Sequence, residues 1–231
     1  FLLEAEAAGE LLSVESLVYQ GRVQVIGLSG REVLASDPVV ELGSLFPYPH
    51  PRFAEIVDAA EAIHQVLGVV HGPTHLEMMV PDRGRVELVD FNIRCPGQET
   101  LVEINLAFDV RFQACLVDLA LGKPPDLSFL GTPKRYTADA VLLPPRGETV
   151  LREIEFPAEA VFQRYMREPG TPLSGRADQM DSVGIFVVLG NSAGEAHRVS
   201  LAARRRARVN GILLGDNINN VPAYPRHMDI L

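Results

Sequence analysis

Glu77 is followed thirteen positions later by Asp90, and Asn92 and Arg94 stand at every second position after it. Between the two acids lie an alternating segment (Glu77-Met78-Met79-Val80), a turn at Pro81-Asp82-Arg83-Gly84, and an apolar run from Val86 to Phe91. That pattern predicts a β-hairpin with Glu77 and Asp90 on neighbouring strands and Asn92 further along Asp90's face. Two carboxylates and an amide oxygen on one side of a sheet suit a hard cation, Mg2+ or Mn2+ in its place, that keeps positions for water and phosphate. Arg94, one pleat on, adds a guanidinium fork shaped for phosphate or carboxylate. The chemistry indicated is phosphoryl transfer. The competing reading is a pair of solvated surface acids. Two features weigh against it. Val89, Phe91 and Ile93 make the opposite face apolar, which anchors the strand in a core. Cys95-Pro96-Gly97 then forces an irregular loop open to close approach.

The elements that must hold this hairpin can be read around it. Residues 11–19 alternate like a strand, Gln20-Gly21 makes a turn, and Arg22 to Leu28 returns as its partner. Residues 29–51, with four prolines, read as a long loop. Phe53, Ile56, Val57, Ala60, Ile63 and Leu67 recur at helical spacing up to Gly68, and His64 falls on that helix's polar edge as a surface residue. A helix is expected from about Val110 to Leu121. Past Pro125 come a strand from Tyr136 to Leu143, a turn at residues 144–148, a short helix or helix-and-strand over 157–167, and a strand from Ser182 to Leu189. Ser192-Ala193-Gly194-Glu195 is a capping box for a helix to about Val209. Its arginines, Arg198, Arg204, Arg205, Arg206 and Arg208, read as a solvated face favourable near a helix C-terminus.

In combination these motifs resemble the ATP-grasp carboxylate–amine ligases. The resemblance rests on His75-x-Glu77, then acid-x-Asn-x-Arg-x-x-Gly from Asp90 to Gly97, and on residues 1–10 followed by Ser13-Val14-Glu15. Ala107-Phe108-Asp109 and Leu119-Ala120-Leu121-Gly122 resemble the family's later helix. Within the family the match is closest to L-amino-acid ligases; biotin carboxylases carry a different run after the arginine. Asp90 departs from the glutamate usual at its position and has a shorter reach.

The resemblance implies an α/β (α+β) fold: the C-terminal half of an ATP-grasp domain, an antiparallel sheet with covering helices, plus a small β-rich closing domain. The implied divisions are 1–125, 126–215 and a tail at 216–231. It implies ATP and Mg2+ as cofactors and ligase activity through an acyl phosphate on amino-acid substrates. Glu77, Asp90 and Asn92 would be metal ligands, and Arg94 and Gly97 catalytic. The hinge at Leu3, Glu4, Ala5 and Glu6 would face adenine, with Glu10 on the ribose, and Glu15 and His75 would lie on the substrate side. Each has a plainer alternative: an Arg94–Glu99 ion pair, a turn at Gly97, a strand-end acid at Glu10, a satisfied core residue at His75. A covalent role for Cys95 lacks a neighbouring base. Other readings are a carboxylase or purine-pathway enzyme of the same fold, using bicarbonate or a nucleotide-precursor amine, and a non-catalytic remnant serving as a binding module.

Composition narrows the partners. The chain has 231 residues, 47% of them hydrophobic, and a formal net charge of −9, which argues against nucleic acid or an anionic membrane as a main partner. Small-molecule carboxylates and amines are the expected partners, and oligomeric state is left open, a homo-oligomer included. Two cysteines make no disulfide framework and fit a cytoplasmic, reducing setting. The two lysines, Lys123 and Lys134, both lie beyond the site, and Phe1 opens straight into an apolar strand. The expectation is a chain that begins mid-protein, its partner being a first, lysine-bearing lobe of the same protein; a natural short form is the alternative.

Overall fold

The computed structural model describes residues 7–97, 99–176, 178–216 and 222–223. In chain order the elements are β1 (Glu10–Tyr19), β2 (Arg22–Leu34), β3 (Asp37–Phe46), α1 (Phe53–Leu67), β4 (His71–Val80), β5 (Glu87–Asn92), α2 (Thr100–Phe108) and α3 (Phe112–Ala120). They continue with β6 (Tyr136–Leu142), β7 (Ile154–Glu155), β8 (Phe162–Tyr165), β9 (Gly184–Gly190), α4 (Ala193–Arg206), β10 (Arg208–Val209), β11 (Ile212–Leu213) and β12 (Pro222–Ala223). Two compact units share them: residues 1–30 with 47–133, and residues 31–46 with 134–231. Strand β2 passes from the first into the second.

In the first unit the strand order is β5-β4-β1-β2, all antiparallel. The β1–β2 turn has positive φ at Gln20 (50°) and Gly21 (76°), the backbone that a two-residue hairpin demands. Burial of nearly all of β1 on both faces marks it as the central strand. Its core face carries Leu12, Val14, Leu28, Leu76 and Met78, all fully buried. Helix α1 ends where Gly68 takes φ 65°, donating back to the Gln65 and His64 carbonyls. The helix expected from about Val110 to Leu121 is α3, and a further helix, α2, precedes it. Asp109 (φ 56°) stops α2, and the Asn105 side-chain oxygen accepts from the Phe112 N–H at 2.7 Å to start α3.

His64, expected at the surface, is buried. Its Nε2 lies 2.7 Å from Thr74 Oγ1 and its Nδ1 2.6 Å from the Ala60 carbonyl. Burial lowers the histidine's pKa from its ordinary value.

In the second unit the order is β2-β3-β6-β9-β8, with β12 paired to the Val33–Leu34 end of β2, and a small β11-β10-β7 sheet beside it in sequence. The loop expected over 29–51 is largely strand. Its charged residues are matched rather than solvated: Arg31 pairs with Glu41, and Glu32 lies between Arg204 and His197. Pro38 sits at the second position of β3, ahead of the residues that pair with β6. Over 157–167 only Phe162–Tyr165 is regular, a strand on β9. Helix α4 opens on Ser192, whose hydroxyl accepts from the Glu195 N–H at 3.1 Å, and stops at Arg206 because Arg208–Val209 become β10. Arg204 is not on a solvated face: it is 2% exposed, with Nη2 3.1 Å from Glu32 Oε2 and 2.5 Å from the Leu42 carbonyl. Among the described residues no helix is long and apolar enough to cross a membrane.

Candidate functional site

The β1–β4–β5 ladder decides which side chains share a face. Glu77 stands directly opposite Asp90, and His75 opposite Asn92. On the other side of β4, Glu15 of β1 pairs with His75 and Ser13 with Glu77. Because side chains alternate, all of these lie on one face, while Thr74, Leu76 and Met78 point to the core. One face of the first unit therefore gathers Ser13, Glu15, His75, Glu77, Asp90 and Asn92.

Burial falls along this row. Glu15 and His75 are buried, Glu77 and Asn92 are half-buried, and Asp90 is exposed. Glu15 accepts from the Ser29 hydroxyl at 3.2 Å. His75 Nδ1 lies 2.9 and 3.1 Å from the two Glu15 oxygens, and its Nε2 lies 3.3 Å from Glu77 Oε1. Further out, the Asn92 amide donates to Asp90 Oδ2 at 2.6 Å, and the Phe91 N–H to Asp90 Oδ1 at 2.9 Å. Among the described residues no three His, Cys, Asp or Glu side chains converge as a ready-made metal cage. Two carboxylates and one amide are the donor set of an open Mg2+ site, in which phosphate and water complete the shell. The residues present fit that ion.

The expected anchoring of β5 differs from what is found. Val89 and Ile93 are 49% and 61% exposed, and Phe91 alone reaches inward, its ring edge-on to His64 at 5.3 Å. A bulge accounts for Val89, and Ile93 lies past the end of β5. The register skips Val89 between the Asp90–Glu77 and Leu88–Met78 pairs, so strict alternation is lost in a strand that lies at the sheet's edge among the described residues.

Past β5, exposed Arg94 donates to the Cys95 carbonyl at 2.9 Å. Gly97 has no positive φ, and a Cβ built there would meet nothing within 4 Å among the described residues. Among the described residues neither backbone strain nor packing calls for glycine at that place. Burial raises the pKa of the Cys95 thiol, with the Glu15 charge adding to the effect, which disfavours the thiolate.

Glu10 stands apart. Five residues from Glu15 on the same strand, it faces the core side opposite Val80. Its Oε1 accepts from the Tyr48 hydroxyl at 2.5 Å, and its Oε2 lies 3.6 Å from His50 Nε2. Tyr48 in turn packs on Gly30, where a Cβ would stand 2.7 Å from the ring. Little in the local pattern warns of this cluster, since Tyr48-Pro49-His50-Pro51 reads as a loop. Leu3, Glu4, Ala5 and Glu6 lie outside the described residues.

No family model matches the sequence. A curated relative, the uncharacterized protein y4rH of Sinorhizobium fredii, is 28% identical over 187 residues, which cover 76% of this chain and 38% of the relative. Among solved structures, the L-amino acid ligase of Bacillus licheniformis superposes with a TM-score of 0.75 at 16% identity, over 87% of this chain and 54% of the ligase. Phosphoribosylglycinamide synthetase of Anaerococcus prevotii gives 0.72 at 15% identity, over 89% and 54%. A biotin carboxylase of Campylobacter jejuni gives 0.66 at 12%, over 88% and 47%. These are ATP-grasp ligases, and the fold of this chain is theirs, the mixed α/β architecture with a large antiparallel sheet. The chain spans about half the length of those structures.

Proposed function

We propose that this chain supplies the metal-binding side of an ATP-dependent carboxylate–amine ligase acting on amino-acid substrates. The observation that carries the reading is the direct cross-strand pairing of Glu77 with Asp90, with Asn92 on the same face. Those three would hold Mg2+, which when bound draws negative charge off the ATP phosphates and the group in transfer.

A substrate carboxylate oxygen forms a bond to the γ-phosphorus and the bond to ADP breaks, leaving an acyl phosphate. An amine then attacks the acyl carbon, inorganic phosphate departs with the bonding pair, and the proton of the amine passes to solvent. Arg94, exposed and bonded to a neighbouring carbonyl, would turn onto the transferred phosphoryl oxygens. The bare backbone at Gly97 offers an N–H at close approach to the developing oxyanion. Adenine would sit against the hinge at Leu3–Glu6. Glu10 already serves Tyr48 and His50 on the core side, so its ribose role would require it to leave them.

The test is phosphate release by the full-length protein with ATP and Mg2+, first with single amino acids and then with pairs. Release stimulated by an amino-acid pair and abolished in Glu77→Gln supports the ligase. Stimulation by bicarbonate alone moves the reading to a carboxylase. Absence of any ATP-dependent turnover refutes catalysis and leaves a binding module.

A further inference from the structure

The buried pair beneath the acids goes beyond this reading of Glu77, Asp90 and Asn92, while resting on it. Glu15 is 2% exposed, and it faces an imidazole rather than an arginine or lysine. Such a burial is costly unless the oxygens are bonded. Here the Ser29 hydroxyl and His75 Nδ1 supply the donors, and Nδ1 sits almost equally between the two carboxylate oxygens. The ring's plane and axis are thereby set from behind. Its far nitrogen then points at one oxygen of Glu77.

We infer that Glu15 and His75 are positioning residues that fix the Glu77 carboxylate for a divalent cation. Glu15 holds His75 through Nδ1, and the ring's Nε2 lies against Glu77 Oε1 at 3.3 Å. The carboxylate cannot then swing freely about its outer torsion, and Oε2 is left for the ion. Three adjacent strands deliver the series, since Ser29, Glu15, His75 and Glu77 come from β2, β1 and β4. A ligand held in place before the ion arrives loses less freedom on binding, and removing a group that orients a metal ligand typically costs about 10–100-fold in affinity.

The test uses the full-length protein and Mn2+ as the probe, with bound and free ion separated by electron paramagnetic resonance in the presence of ADP. His75→Ala is expected to weaken Mn2+ binding roughly 10–100-fold. His75→Gln, which can still donate one N–H towards Glu77, recovers part of that loss. Glu15→Gln, nearly isosteric, weakens Mn2+ less than His75→Ala does. ADP affinity without metal stays unchanged in all three. If His75→Ala proves unfolded, the two glutamine variants carry the same comparison. Mn2+ affinity within twofold of the unaltered protein in His75→Gln and Glu15→Gln, with binding lost in Glu77→Gln, overturns the positioning role and leaves the metal site standing. Undiminished Mn2+ binding in Glu77→Gln overturns the metal site itself.

Discussion

Arg204→Met in the second unit removes a guanidinium that is 2% exposed and leaves Glu32, 1% exposed on its side chain, without that partner. Two effects oppose each other. Stranding a buried carboxylate costs about 3–5 kcal/mol when its cation is taken away, and the Leu42 carbonyl loses its donor as well. Against this, Arg204 Nε and Nη1 have no hydrogen-bond partner among the described residues, so removing them relieves two buried donors. His197 also remains 3.1 Å from Glu32 Oε1. The stranded charge is the larger effect, and a net loss of about 2–4 kcal/mol is expected. At about 2–4 °C per kcal/mol for a chain of this size, the melting temperature falls roughly 4–16 °C. The double variant Glu32→Leu/Arg204→Met removes both charges and should return to within about 1 kcal/mol of the starting protein, because a buried ion pair and a packed apolar pair are often close in energy. Urea denaturation followed by circular dichroism measures all three proteins, and amide exchange in β3 and α4 shows that the loss is local. The reasoning is refuted if Arg204→Met is neutral, or if the double variant is no more stable than Arg204→Met alone.

Gly190→Ala places a Cβ 2.3 Å from the Ala196 backbone nitrogen, and overpacking of that kind should lower stability by about 1–3 kcal/mol in a denaturant titration. Ser192→Ala removes the acceptor of the Glu195 N–H and should cost about 1 kcal/mol by the same measurement. The depressed pKa of His64 means that the unfolded chain takes up its proton first as pH falls. Stability should therefore decline below about pH 6.5, and His64→Gln should show a smaller drop in urea midpoint between pH 7.5 and 5.5. Gly97→Ala should leave stability within about 0.5 kcal/mol, there being open space for the methyl group, while phosphate release by the full-length protein falls.

Much of the scaffold is legible from local pattern. The β1–β2 hairpin, α1 with its glycine stop, the β4–β5 hairpin and the Ser192 cap all follow from periodicity and turn chemistry within about fifteen residues. Residues that mislead do so through distant partners. Arg204 looks solvated because its acid lies 172 positions away, and the strand around Glu32 looks like a loop for the same reason. His64 is turned inward by Thr74, ten residues on. Val89 misleads differently, since a bulge breaks the alternation on which its burial was read. At the site, spacing alone predicts the pairing of Glu77 with Asp90. The bonded series from Ser29 through Glu15 to His75 requires three strands in register, which no single stretch of sequence encodes.

The path of the chain carries a consequence for synthesis. The second unit takes residues 31–46 first and the rest only from residue 134 onward. At about 5–20 residues per second, Glu32 is made some ten to thirty seconds before Arg204, 172 positions later. For the earlier part of that interval β3 waits without β6, and for all of it Glu32 waits without Arg204. A premature stop anywhere before α4 would leave Glu32 and the Leu42 carbonyl without the guanidinium that joins them.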